Sequence, residues 1–282
     1  MAGKLVIIGG AEDQNQHCTI LKKVLELSEE SKARVAVIAT ASAKPAQTGQ
    51  DYEQIFYELG AESVRILQVL SRKSAQDPSS ATALREASII FITGGDQLRL
   101  TSILGGTALM ETLWERFTGG AILAGTSAGA SAMSATMIIG GEAGQPPQRE
   151  LIHMSPGLGF LPGVLVDQHF AQRGRFGRLI AAVALNPGFL GIGIDEDTAI
   201  IVSENRWLET VGSYGISIID GSGLFETNIS ETAPYETLTL SPLQVHILAH
   251  GAGFDLLRRR LIKSGKGEQG SWFTGKQAPP EV

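Results

Sequence analysis

Ala121-Ile122-Leu123-Ala124-Gly125-Thr126-Ser127-Ala128-Gly129-Ala130-Ser131-Ala132 is the stretch on which the fold turns. Ala121 to Ala124 reads as a buried strand, and it runs without a spacer into small residues. Within 124–132 everything except Thr126, Ser127 and Ser131 is Ala or Gly. An apolar strand ending in Gly-x-Ser-x-Gly predicts a sharp strand-to-helix turn that lifts the serine off the strand end and exposes its hydroxyl. The plain alternative is a passive serine in a glycine-rich tight turn. By itself the pattern arises by chance on the order of 0.3 times in a chain of this glycine and serine content, so the surrounding sequence has to support it.

Upstream of this turn, short apolar runs alternate with helical patterns. Strands are expected at Leu5 to Ile8, Arg34 to Ala39, Ser63 to Val69 and Ser88 to Thr93, with helices at Thr19 to Leu27, Tyr52 to Leu59 and Ala83 to Ala87, and one or two helices over Leu98 to Phe117. Continuous Val/Ile/Leu runs separated by helices predict an α/β fold, a mainly parallel, doubly wound sheet covered on both faces. Such sheets carry their working residues at the carboxyl ends of strands. Gly9-Gly10, Gly94-Gly95-Asp96-Gln97 and Ser127 all fall there, so three loops converge on one crevice. Downstream the pattern turns β-rich, with strands expected at Val164 to Val166, Leu190 to Ile194, Ala199 to Val202, Tyr214 to Ile219 and Val245 to Leu248. Residues 141–157 read as a loop. No linker breaks the chain, so residues 1–257 are expected to form one domain, followed by a basic and then polar tail over 258–282.

Composition narrows the function. A chain of 282 residues with 43% hydrophobic and 18% charged residues can bury a sizeable core. A net charge of −6 argues against a nucleic-acid binder. Cys18 is the single cysteine and lies in an apolar helical stretch, which predicts a buried structural thiol and no disulfide. The N-terminal residues are too weakly apolar for a signal peptide, and no run approaches a membrane span. A cytoplasmic protein is expected.

A serine nucleophile needs a base, an orienting group and donors for the oxyanion. His169 follows the apolar run Val164-Leu165-Val166 and sits with Asp167 and Gln168, at a strand end where a base belongs. His246 and His250 lie in a β-like run, share no helical face and have no further ligand pair, so they read as structural and no metal is expected. The orienting carboxylate is sought in Asp195-Glu196-Asp197, directly after another apolar strand, and spacing does not choose among the three. Arg173, Arg175 and Arg178 follow His169. They are either a solvated helix face or a carboxylate clamp, since guanidinium binds carboxylate through two parallel hydrogen bonds.

Together, Gly94-Gly95-Asp96-Gln97, Gly125 to Ser131, Asp167-Gln168-His169-Phe170 with the three arginines, and Gly193 to Ala199 resemble the cyanophycinases. These belong to the serine peptidase family that also contains aspartyl dipeptidase (peptidase E). The resemblance runs in family order from Gly9-Gly10 to Asp255. It implies a single domain similar to class I glutamine amidotransferase domains (flavodoxin-like), usually dimeric and free of cofactors. It implies Ser127 as nucleophile, His169 as base and Glu196 as orienting acid, with the backbone N–H groups of Gly95 and Ala128 as the oxyanion hole. Gln97, Asp167, Gln168, Arg173, Arg175 and Arg178 are implied to line the substrate pocket. The implied substrate is cyanophycin, a polyaspartate backbone with arginine on each side-chain carboxyl, cut to β-Asp-Arg dipeptides. The competing expectations are an aspartyl dipeptidase with the same triad and a binding module that kept the fold without the chemistry. The Gly9-Gly10 turn lacks the full Gly-x-Gly-x-x-Gly spacing of a nicotinamide site.

Overall fold

In the computed structural model, which describes residues 3–28, 33–150 and 152–262, the N-terminal apolar runs form five strands. They are β1 (Leu5–Ile8), β2 (Arg34–Ile38), β3 (Ser63–Leu67), β4 (Ile89–Ile92) and β5 (Ile122–Thr126). They lie parallel in the order β1-β5-β4-β2-β3. Because side chains alternate across a strand, each run serves two cores. Val6, Ile8, Val35, Val37, Ile89 and Phe91 face one of them, shared with α1 (Thr19–Glu26) and α2 (Pro45–Glu58). Leu5, Ile7, Ala36, Ile38, Ile90 and Ile92 face the other. That side is covered by α3 (Arg72–Ala75), α4 (Pro78–Glu86), α5 (Gln97–Leu104), α6 (Ala108–Thr118) and α7 (Ala128–Ser131). Of the one or two helices expected over 98–117, the structure has two. Gly105-Gly106 separates them, and Thr107 caps the second by accepting from the Met110 N–H at 3.4 Å.

Past Ser127 the chain forms the hairpin β6 (Thr136–Gly141) and β7 (Ile152–Pro156). This corrects the loop expected over 141–157, whose Gly- and Pro-rich tip conceals the returning strand. Strands β8 (Val164–Asp167) and β9 (Leu190–Ile194) are parallel and begin a second sheet, bridged by α8 (Phe176–Leu185). β10 (Thr198–Ser203) returns to the large sheet antiparallel to β1, and β11 (Trp207–Gly212) extends it. β12 (Ile216–Asp220) joins β9 in the small sheet. The short pair β13 (Glu226–Thr227) and β14 (Leu240–Ser241) follows, and β15 (Gln244–Leu248) closes the small sheet at its edge. β16 (Gly253–Asp255) and β17 (Arg260–Ile262) complete the large one, whose order is β17-β16-β11-β10-β1-β5-β4-β2-β3.

One face of the small sheet sends Val166, Ile192, Ile194, Ile216 and Ile218 into the core shared with the large sheet. Its other face packs Leu165 and Ile219 against Leu179 and Val183 of α8. This stacking brings the carboxyl ends of β4, β5, β8 and β9 together. β17 lies beyond residue 257, where the tail was expected to start. The Asp255 carboxylate holds the turn before it, accepting from the Leu257 and Arg258 N–H groups at 3.0 Å each. The remainder of the expected tail, 263–282, lies outside the described residues. Among the described residues no helix is long and apolar enough to cross a membrane.

Candidate active site

Ser127 sits between β5 and α7 at φ 51° and ψ −109°, a conformation costly for a residue with a Cβ. Its own N–H is committed to the Ile8 carbonyl of β1 at 3.0 Å. The flanking glycines are steric necessities. A methyl group at Gly125 would meet the Met133 Cε at 2.7 Å, and one at Gly129 would stand 2.4 Å from the Ile92 carbonyl oxygen. The turn therefore closes on itself and against β4 only without side chains at these two positions.

His169 follows β8 and also has a positive φ, 47°. Its ring joins the two other expected residues: Nε2 lies 3.0 Å from the Ser127 Oγ and Nδ1 2.6 Å from Glu196 Oε1. The strong acceptor at Nδ1 fixes the proton there, which leaves Nε2 as acceptor for the serine hydroxyl. The ring packs on Gly10, where a methyl group would stand 2.4 Å from Cε1. Burial lowers the His169 imidazole below the usual histidine value; the Glu196 hydrogen bond opposes this and Arg173 adds to it.

Spacing did not choose among Asp195, Glu196 and Asp197, but the structure gives each a separate partner. Asp195 accepts from the Ala171 N–H at 3.0 Å and the Gly215 N–H at 3.4 Å, joining the loops after β8 and β11. Asp197 takes the Asp13 N–H at 2.9 Å and the Ser213 hydroxyl. Only Glu196 turns to His169. Its backbone N–H is held by the Gln172 Oε1 at 3.0 Å, a contact the sequence reading missed; a glutamine three residues after a candidate base carries no distinctive signal.

The three arginines divide. Arg173 is exposed. Arg175 and Arg178 are 9% and 7% exposed, so the solvated-face reading fails for these two. Both close on Asp167, itself 1% exposed. Arg178 Nε donates to Asp167 Oδ2 at 2.6 Å while its Nη2 donates to Oδ1. Arg175 Nη1 reaches Asp167 Oδ1 at 3.3 Å and Gln168 Oε1 at 3.1 Å. Two guanidiniums thus share one carboxylate. Burial lowers Arg175 to about 10 against the opposing pull of Asp167, which leaves it charged at neutral pH. Its Nε has no hydrogen-bond partner among the described residues.

The loop after β4 faces the serine from the other side. A methyl group at Gly94 would lie 3.2 Å from the Ser127 Cβ, and one at Gly95, where φ is +139°, would stand 2.0 Å from the Ala41 carbonyl oxygen. Asp96 caps α5 by accepting from the Leu98 N–H at 2.8 Å. Gln97 opens that helix and donates its amide to the Ile138 carbonyl at 2.9 Å. Away from the cluster, Cys18 is buried and burial raises its thiol, as suits a structural residue. The His246 ring packs on Phe254 at 5.1 Å, and His250 Nδ1 accepts from the Gly212 N–H.

Over residues 5–210 the sequence matches peptidase family S51. The chain belongs to that family. Relatives with which it aligns include the cyanophycinase of Trichormus variabilis, 43% identical over 92% of this chain and 87% of that one. The cyanophycinase of Geminocystis herdmanii is 40% identical over 89% and 93%. Among solved structures, a peptidase from an acI-B1 actinobacterium superposes with a TM-score of 0.63 at 26% identity, covering 87% of this chain and 98% of that one. As a member of family S51 the chain is a serine-type peptidase, and its serine, imidazole and carboxylate meet at the carboxyl ends of three different strands.

Proposed function

We propose that this chain hydrolyses cyanophycin to β-Asp-Arg dipeptides through an acyl-enzyme on Ser127. The observation that carries the reading is the Ser127–His169–Glu196 relay, in a chain about two-fifths identical to proteins named cyanophycinases along most of its length. His169 Nε2 takes the hydroxyl proton as Oγ attacks a backbone carbonyl of the polymer. The charge developing on that oxygen is met by the Gly95 and Ala128 N–H groups. His169 then returns the proton to the leaving amide nitrogen, the C–N bond breaks, and a water activated by the same imidazole releases the acyl group. Glu196 holds the ring in the required tautomer throughout.

The arginines fit such a substrate. Every arginine of cyanophycin keeps a free carboxylate. Two guanidiniums on one carboxylate leave the Asp167 cluster with one excess positive charge, and Arg173 adds another at the rim. Asp167 acts in this reading by holding Arg175 and Arg178, and Gln97 and Gln168 line the same pocket. The working form we propose is a cytoplasmic homodimer. A single buried thiol suits a reducing compartment, and the half-exposed Val245 with the exposed Ile247 on edge strand β15 gives an apolar surface for a second copy.

Product analysis tests the substrate. Incubation with cyanophycin is expected to release β-Asp-Arg, with Asp-X dipeptides cut poorly; cleavage of the dipeptides alone would replace this reading with an aspartyl dipeptidase. The pH profile tests the base. His169 works as base only when neutral, so activity is lost as pH falls through its pKa. Since burial lowers that pKa, the acid limb of kcat/KM is expected below the ordinary histidine value of about 6.5. Arg173→Ala removes one of the lowering influences and is expected to move the limb upward. A limb well above 6.5 would point to another base.

A further inference from the structure

The segment from Ile8 to Asp13 touches every member of the triad's neighbourhood. The Ile8 carbonyl accepts the Ser127 N–H at 3.0 Å, the Gly9 carbonyl the His169 N–H at 2.8 Å, and the Gly10 carbonyl the Asp197 N–H, next to Glu196, at 2.9 Å. Within the same segment lies Glu12, a carboxylate only 5% exposed that the mechanism does not use. Both of its oxygens are occupied. Oε2 accepts from the Thr126 hydroxyl at 2.6 Å and Oε1 from the Tyr52 hydroxyl, which itself accepts from Gln14 Nε2 at 3.0 Å. Burial first and Glu12 second hold the Tyr52 phenol well above its ordinary range, so it stays protonated and donates. Its ring is fixed in turn against Phe91 at 4.6 Å.

Thr126 is the residue immediately before Ser127, and its side chain is buried. Burying a carboxylate costs several kcal/mol unless its lone pairs are met. A fold with no use for this group would be served as well by an apolar pair in its place. Here the carboxylate ties the last residue of β5 to a side chain anchored on α2. It resists rotation of the peptide that enters the strained Ser127 conformation.

Resting on the reading of Ser127 as nucleophile, we infer that Glu12 is a positioning residue for the nucleophile turn, acting through Thr126, with Tyr52 as its anchor. The mobility it suppresses matters because a misplacement of about 1 Å can cost roughly 100-fold in rate. It makes no contact with the pocket arginines, so its loss is expected to leave substrate affinity alone.

The experiment compares fluorophosphonate labelling of Ser127 with cyanophycin kinetics in the full chain, across Glu12→Ala, Glu12→Gln, Thr126→Val and Thr126→Ser. Glu12→Ala and Thr126→Val are expected to slow labelling and lower kcat by roughly 10- to 100-fold with KM held. Thr126→Ser keeps the hydroxyl and is expected to restore most of the rate. Glu12→Gln is expected to do the same, because a carboxamide still accepts from Tyr52 and can donate to Thr126. Should Glu12→Ala fail to fold, the near-isosteric Thr126→Val decides. Labelling of Thr126→Val at the wild-type rate, or a rise in KM with kcat unchanged, would overturn the inference. Absence of labelling in the wild-type chain would instead overturn the nucleophile assignment beneath it.

Discussion

Ser127→Ala is expected to lower kcat by roughly 10⁴- to 10⁶-fold while leaving polymer binding close to that of the unchanged chain. The size of the loss follows from how the site is arranged. In the proposed mechanism His169, Glu196 and the oxyanion donors act on the serine oxygen or on what forms from it, so removing that atom disables all of them at once. In the same proposal binding draws on other groups, chiefly the Asp167 cluster and Arg173, which run from the end of β8 into the first turn of α8. The fold should tolerate the change. Ser127 lies at φ 51°, which alanine also adopts at a cost, and its structural hydrogen bonds run through its backbone N–H and carbonyl. Steady-state turnover of cyanophycin, binding of polymer to the inactive variant and a thermal scan separate the three quantities. Turnover within tenfold of wild type would remove Ser127 as nucleophile. Lost binding with an intact fold would mean that the hydroxyl itself holds substrate.

The parallel half of the fold was legible because its strands are buried on both faces, so β1, β2 and β4 read as unbroken apolar runs. Helix α2 starts at Pro45, well before the expected Tyr52; Thr48, Gly49 and Asp51, all of low helical preference, hid its first half from the sequence pattern. Gly49 is there for packing, since a methyl group would meet the Ile66 Cγ2 at 2.6 Å. The hairpin β6–β7 was hidden for a different reason: its ladder is set by partners across the turn, and the glycines and prolines near its tip outweigh the local β signal. In the site, Ser127 and His169 could be found because each ends an apolar strand. Glu196 could not be separated from Asp195 and Asp197 by spacing, because three carboxylates in one turn point wherever that turn's dihedrals send them. Glu12 left no trace, since its partners Tyr52 and Thr126 are 40 and 114 residues away.

The arginine cluster shows why charge spacing was ambiguous, and it yields the largest expected effect on stability. Sequence places Arg175 and Arg178 near one another, and like charges in solvent would simply repel. What binds them is Asp167, 8 and 11 residues earlier at the end of β8. Replacing it with asparagine keeps the volume but removes the only negative charge that either guanidinium contacts among the described residues. Both are nine-tenths buried, so neither regains full hydration. Breaking a buried pair from one side costs about 3–5 kcal/mol, and most of that cost is the charge left behind. Asp167→Asn is therefore expected to destabilise the chain by about that amount, seen as a lower urea midpoint. Adding Arg178→Met is expected to recover part of the loss, because it removes the better-paired of the two stranded charges. A purely steric role for Asp167 predicts the opposite ordering, with the double variant less stable than the single. A urea midpoint for Asp167→Asn equal to that of the unchanged chain would mean that the two guanidiniums reach solvent after all. In that event the excess positive charge proposed to receive the substrate's carboxylates would be screened by water.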